Sequence, residues 1–333
     1  MNYAITILIF LVVVFFYIHV TEQYKKSEDL EIYEMDFVDN AALQNVCNVK
    51  QPVLFEYKSH VPEIFGKITI DNILRNGGQY EVAVKDTNDY AKSGASFDYI
   101  TFPFHSTIEL FETDSRAHFI SESNSIFVEE SGLNPIIHAV DLDLKPPLTV
   151  HTAYDILFGS KGSTTPLRYH TGTRYFVGVT AGKIQIKMTP WRSTRYLKPI
   201  RDYENYEFRS AIDVWTKDLG ELSKIKFLEF DVIEGNVLYI PPYWWYSIKY
   251  MNEDADTVSM CFACQYNTAV NILANITDIG RYYLQQQNIT EKTARILPTT
   301  TQDSDTEPDI NLESEIKPKP EPIVVLDQDP TEV

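Results

Sequence analysis

Cysteine is scarce in this chain. Cys47, Cys261 and Cys264 make an odd, low count, which excludes the dense disulfide framework of a small secreted domain. Positive charge is in deficit too: 29 Lys and Arg stand against 47 Asp and Glu, for a formal charge of -18. Phosphate neutralisation needs clustered Lys and Arg, so a general nucleic-acid binder is excluded. The chain lacks a Ser-His-Asp signature, a Gly-rich phosphate loop and a paired-Cys metal pattern. His60, His105, His118, His138 and His151 are scattered without ligand spacing and read as ordinary histidines. Cys261-Phe262-Ala263-Cys264 has redox or zinc spacing. Residues three apart on a strand face opposite sides, so this pair is not expected to clamp zinc or close a disulfide.

What is present begins with apolar residues. Ala4 to Val20 is almost wholly apolar, the length that a helix needs to cross a bilayer. Nothing basic precedes it, and no small-x-small cleavage site follows, so the sequence predicts a retained single-pass anchor (1–22) and a membrane as partner through 4–20. The basic pair Lys25-Lys26 just after the span leaves the folded part in the cytosol by the positive-inside rule. The sequons at Asn275 and Asn288 would be usable only on the other side.

The remaining organisation is read from pattern. Residues 23–45 are acidic and read as a juxtamembrane stalk, with Asn40 capping a short helix to Val46. A folded domain is expected over 46–267. Pro52–Tyr57 and Tyr80–Val84 read as strands, and Ile68–Arg75 and Phe104–Glu112 as helices. Phe119 to Phe127 fits no period. Thr173–Thr180 and Lys183–Thr189 are two strand runs joined by Ala181-Gly182. Ile225–Val232 and Thr257–Tyr266 are further strands. A helical segment is expected over 268–297, and an acidic disordered tail over 298–333. Trp191, Trp215, Trp244 and Trp245 read as core.

Two stretches carry chemistry. In the first, Glu234-Gly235-Asn236 is a tight turn, Val237–Ile240 a buried strand, Pro241-Pro242 its stop, and Trp244-Trp245-Tyr246 the start of another strand. Strands meeting at such a corner suit a jelly roll. The second runs Gly159-Ser160-Lys161-Gly162-Ser163-Thr164-Thr165-Pro166-Leu167-Arg168-Tyr169-His170, followed by Phe176-Val177-Gly178-Val179-Thr180-Ala181-Gly182-Lys183.

Together these stretches resemble the cupin-like JmjC family of double-stranded β-helix oxygenases, over roughly Gln51 to Tyr266. The resemblance implies a mostly β fold with flanking helices, built as a double-stranded β-helix (jelly roll, cupin) behind one transmembrane helix. In the family, a His-x-Asp pair and a distal His form a facial triad for iron(II). Arg168 stands at the first His, His170 at the Asp and Tyr246 at the distal His. Arginine cannot lose its proton and cannot ligate a metal. The resemblance also places Thr165 and Lys183 where the family holds the distal carboxylate of 2-oxoglutarate. For Lys183 the rival reading is a solvated strand lysine.

The expectation is therefore a binding or structural module that has lost the iron site, with an unidentified protein partner, no catalytic residues and no resident cofactor. Arg168, His170 and Tyr246 are expected to form a metal-free polar cluster. With Lys183 nearby, the pocket would be cationic and suited to 2-oxoglutarate or another small anion. The alternative is an iron(II)/2-oxoglutarate-dependent protein hydroxylase with non-standard ligands.

Overall fold

The computed structural model describes residues 2–88, 99–216, 220–251 and 258–288. The apolar N-terminus is helix α1, Asn2–Gln23. Its 21-residue stretch Tyr3–Gln23 is long and apolar enough to cross a membrane, and none of it is buried in the protein. The expected tail (298–333) lies outside the described residues.

Residues 23–45, expected as a juxtamembrane stalk, carry a strand and the start of a helix that belong to the folded part. Leu30, Ile32, Met35 and Phe37 are interleaved with acids at strand spacing, and each packs onto a core. Strand β1 (Tyr33–Asp36) pairs in parallel with β2 (Val53–Glu56). Helix α2 (Asn40–Cys47) follows, capped by Asp39 and not by Asn40: Asp39 Oδ1 accepts from the Ala42 amide at 2.7 Å.

Beyond β2 come helices α3 (Pro62–Lys67) and α4 (Ile70–Gly77), strands β3 (Glu81–Asp86) and β4 (Ile100–Pro103), helix α5 (Phe104–Thr113), and strand β5 (Phe119–Ser121). Short helices α6 (Ser125–Glu130), α7 (Asn134–His138) and α8 (Asp141–Leu144) lead into β6 (Thr149–Gly159). The strands β7 (Arg168–Tyr169), β8 (Arg174–Ala181), β9 (Lys183–Thr189), β10 (Pro199–Asp202), β11 (Glu207–Ser210), β12 (Leu228–Ile233), β13 (Asn236–Ile240), β14 (Trp245–Met251) and β15 (Ser259–Thr268) follow in turn. The helical pattern expected after Thr268 is broken at Asn275 into α9 (Ala269–Ala274) and α10 (Ile276–Asn288).

The strands form two sheets. One has the order β1-β2-β13-β8-β15-β6-β5-β3-β4 and the other β10-β11-β7-β14-β9-β12. Alternation along the strands supplies both faces. Val177 and Val179 of β8, Ile184 and Ile186 of β9, and Ile248 and Tyr250 of β14 share one buried cluster, so the two sheets face each other. On the outer face of the larger sheet, Phe176, Phe262 and Cys264 pack under the helices with Phe104, Phe127 and Ile137. Cys261 and Cys264 accordingly belong to different cores and are free thiols, as strand spacing predicts.

The Pro-Pro corner has a local cause. After Pro241-Pro242, Tyr243 takes φ 65, and Trp244 N donates to Pro241 O at 3.3 Å. The chain reverses there and re-enters as β14. Trp244 then packs between the sheets, while Trp245 packs beneath the smaller one with Tyr169 and Phe208. Trp191 and Trp215 are only partly buried.

Candidate functional site

A cavity of about 580 Å³ is lined by residues from both sheets and from the connections around them. The backbone brings Arg168, His170 and Tyr246 to it. Arg168 of β7 lies directly across from Tyr246 of β14 in the smaller sheet. Its guanidinium carbon sits 5.7 Å from the centre of the Tyr246 ring. His170, two residues along, packs its ring 6.3 Å from that of Tyr246 and 5.2 Å from that of Tyr175.

The strongest partner of Arg168 comes from elsewhere. Glu122, just past β5, takes both ends of the guanidinium: Nη1 to Oε1 at 2.8 Å and Nη2 to Oε2 at 2.5 Å. Lys85 of β3 adds a second cation, Nζ to Glu122 Oε1 at 3.1 Å. Glu207 of β11 takes a further bond from Arg168 Nη1 at 3.2 Å. Burial alone would raise the Glu122 carboxyl, but Arg168 and then Lys85 outweigh it and hold it well below the usual carboxylate range. For Lys85, burial works against the charge and Glu122 and Glu207 restore it, leaving its pKa raised.

A second carboxylate fixes the position of the first. Ser123 takes φ 67, an unusual conformation for a residue with a side chain. Asp155 of β6 holds that turn by accepting from the amides of Ser123 at 2.8 Å and Asn124 at 2.7 Å. Asn124 in turn donates through Nδ2 to Ile156 O at 2.8 Å. Burial pushes the Asp155 carboxyl up to about 6, against these amide bonds and with Glu122 adding repulsion.

The geometry does not give His170 to Arg168. Its Nε2 lies 2.9 Å from Ile240 O, and a carbonyl oxygen can only accept, so Nε2 carries the proton. Burial first, with Arg168 adding to it, lowers the His170 pKa to about 4, and the ring is neutral at pH 7. The expected contact of His170 with the guanidinium is corrected: both Nη atoms go to carboxylates, and the buried Nε has no hydrogen-bond partner among the described residues.

Thr165 and Lys183 are not brought to the cavity. The Thr165 hydroxyl accepts from Ile248 N at 2.9 Å, and its backbone is stitched to Ile248 and Ser247. It locks the approach to β7 onto β14. Lys183 begins β9 on the face opposite Ile184 and Ile186, and its Nζ lies 3.3 Å from Asp231 Oδ2. The solvated-strand reading describes it.

The residues present do not suit a 2-His-1-carboxylate iron centre. One position holds a permanent cation bound to two carboxylates, another a phenol, and the third an imidazole whose Nε2 is committed to a carbonyl. Among the described residues, no group of three or more His, Cys, Asp or Glu could hold a metal ion.

The expectation of a cationic pocket is also corrected. Among the described residues, Lys85 and Arg168 are the cations of the lining, against the carboxylates of Glu122, Asp155, Glu204 and Glu207. Tyr99, Tyr175, Tyr206, Tyr246 and Tyr282 supply aromatic walls. Sequence reasoning missed Lys85, Glu122, Asp155 and Glu207. The one available signal was a lysine on the same strand face as Ala83, in a run otherwise built of Val, Ala and Val.

No protein-family model matches this chain, and no curated protein matches it as a relative.

Proposed function

We propose that this chain is a membrane-anchored double-stranded β-helix of the cupin-like JmjC type that works as a binding module and not as an iron oxygenase. Strand order supports the fold. The run β13-β8-β15-β6 in one sheet and the run β7-β14-β9-β12 in the other are what eight strands wound as two Greek keys produce. In that frame Arg168, His170 and Tyr246 occupy the family's ligand positions.

The observation that carries the functional reading is the Arg168–Glu122–Lys85 network. A guanidinium bound at two points by Glu122 and at a third by Glu207 takes the place of the metal charge. Its charge is already met by two carboxylates, although the buried Nε of Arg168 makes no hydrogen bond among the described residues. The occupant we assign to the cavity is a cationic group, such as a lysine or arginine side chain of a protein partner. Excess carboxylate favours a positive charge there, and the tyrosine walls favour it further through their ring faces.

Orientation follows from two features. Lys25 and Lys26 flank the span on its C-terminal side, which favours the cytosol for the folded part. Asn275, the first sequon residue, is used internally: Nδ2 donates to Asn271 O at 3.0 Å and Oδ1 accepts from Tyr243 Oη at 3.3 Å.

Calorimetry on the full chain in uncharged detergent, with chelator present, tests the reading. Lysine- and arginine-containing peptides should bind, and Glu207→Gln should weaken them; 2-oxoglutarate should not bind. Iron-dependent turnover of 2-oxoglutarate would instead establish the hydroxylase.

A further inference from the structure

A second and larger cavity, about 810 Å³, lies at the end of α1. Glu22 and Gln23, the last turn of that helix, form part of its wall. Lys50, Lys145 and Arg174 line it as well. This is the opposite of the chain as a whole, which carries a formal charge of -18.

Arg174 is the unusual member. It is 4% exposed, yet every partner among the described residues is neutral. Nε donates to Gln44 Oε1 at 2.9 Å and Nη2 to Asn48 Oδ1 at 2.6 Å. Nη1 reaches Thr173 O at 3.1 Å and Tyr239 Oη at 3.4 Å. Buried charges in proteins are ordinarily paired with an opposite charge. Arg168 obeys that rule with Glu122 and Glu207; Arg174 does not.

Lys50 stands beside it. Its Nζ donates to three carbonyls where α1 ends: Glu22 O at 2.6 Å, Gln23 O at 3.2 Å and Lys25 O at 2.9 Å. That caps the helix and fixes the folded part directly against the end of the span. Burial, followed by the balance of Glu22 against Arg174, Lys25 and Lys26, pulls Lys50 down to about 8. Glu22, the one acid among the described lining residues, is paired with Lys25. Lys145 has its own partner in Asp141, Nζ to Oδ2 at 3.1 Å.

Height matters as much as charge. A helix rises about 1.5 Å per residue, so the 21 residues Tyr3–Gln23 match the roughly 30 Å hydrocarbon layer and end at the headgroups. Whatever binds beside Gln23 binds at that level. A phosphate oxygen suits Arg174 better than a carbonyl does, because charge-assisted bonds are stronger.

We infer that the cavity walled by the end of α1, Lys50, Lys145 and Arg174 is a binding site for an anionic phosphate group, supplied by a phospholipid headgroup of the membrane that α1 spans. The inference rests on the anchor reading for the source of the phosphate, though not for the site. It is independent of what occupies the tyrosine-lined cavity.

The test uses the full chain in uncharged detergent micelles, with melting followed by tryptophan fluorescence. Short-chain phosphatidic acid is titrated, inorganic phosphate serves as the soluble arm, and phosphatidylcholine is the reference. Phosphatidic acid should raise the melting temperature well above phosphatidylcholine. Arg174→Gln and Lys145→Gln should each weaken that effect about tenfold, the loss of one charge-assisted hydrogen bond. Lys145 is at the rim and 37% exposed, so its variant reports even if Arg174→Gln fails to fold. Equal stabilisation by inorganic phosphate upholds the site and makes free phosphate its ligand. No stabilisation by either, or stabilisation that both variants retain in full, overturns the site. Alkaline carbonate extraction of membranes, read separately, decides the anchor: release of the chain would end that reading without touching a phosphate effect in micelles.

Discussion

Arg168 and Glu122, separated by 46 residues, meet in a two-point contact in which each end of the guanidinium takes its own carboxylate oxygen. The side chains are 12% and 4% exposed, so solvent screens them little. Removing one partner strands the other as a buried charge, which costs about 3–5 kcal/mol.

Glu122→Gln and Arg168→Met should therefore each lower stability by about that amount in chemical denaturation. The double variant should lose less than the sum, because Arg168 is no longer stranded, while Lys85 keeps the cost of losing Glu122. Losses under about 1 kcal/mol for both single variants would mean that the pair is screened like a surface ion pair, and the network would not hold the site together.

How much of this could be read from the chain is instructive at particular residues. The hairpin at Ala181-Gly182, the Pro241-Pro242 corner and the opposite facing of Cys261 and Cys264 follow from backbone rules acting over a few residues, and those features are present. Arg168, His170 and Tyr246 were legible as a group through the resemblance. Glu122 was not. It lies in a turn held by Asp155, 33 positions further on in the numbering of the chain, and nothing in its neighbours announces a salt bridge. For Lys183 both readings stood open in the sequence, and strand alternation decides between them by putting it on the outer face beside Asp231. In the segment from Leu30 to Phe37 the acids mask the alternation of Leu30, Ile32, Met35 and Phe37, which only packing onto the cores reveals.

His170 gives the cavity a pH dependence with a definite sign. Its folded pKa is lowered to about 4, below the ordinary value of about 6.5. A lowered value means that the unfolded chain binds the proton more readily. The stabilisation is then complete above pH 6.5 and is lost as pH falls toward 4, by as much as about 3 kcal/mol. His170→Gln should remove that part of the acid slope, and the His170 ring signals in NMR should titrate near pH 4. A midpoint at 6 or above would place the ring in water.

Gly182 tests the hairpin that starts β9. Its φ is +70, and a Cβ there would come within 2.5 Å of Ser259 Oγ. That hydroxyl is engaged, accepting from Lys183 N at 3.2 Å and donating to Lys183 O at 2.9 Å. Gly182→Ala should cost about 1–3 kcal/mol from strain and crowding together. A melting temperature equal to that of the parent would show that the turn relaxes freely.

The anchor should remain on the mature protein, and the folded part should carry no glycan. Lys50 binds carbonyls of Glu22, Gln23 and Lys25, and Tyr24 Oη donates to Ala274 O. Lys26 lies over the Trp191 ring at 3.8 Å. Residues on both sides of any cut just past the span are thus docked on the folded part, and cleavage would remove the carbonyls that Lys50 satisfies. A glycan on Asn275 is excluded by the fold for a similar reason, since that side chain is 5% exposed and its amide nitrogen already donates. Intact mass of the protein from membranes should include residues 1–22, and endoglycosidase should leave its mobility unchanged. A mature N-terminus beyond Val20 would end the anchor reading. A glycan at Asn275 would reverse the assigned topology and require a different arrangement around Tyr243.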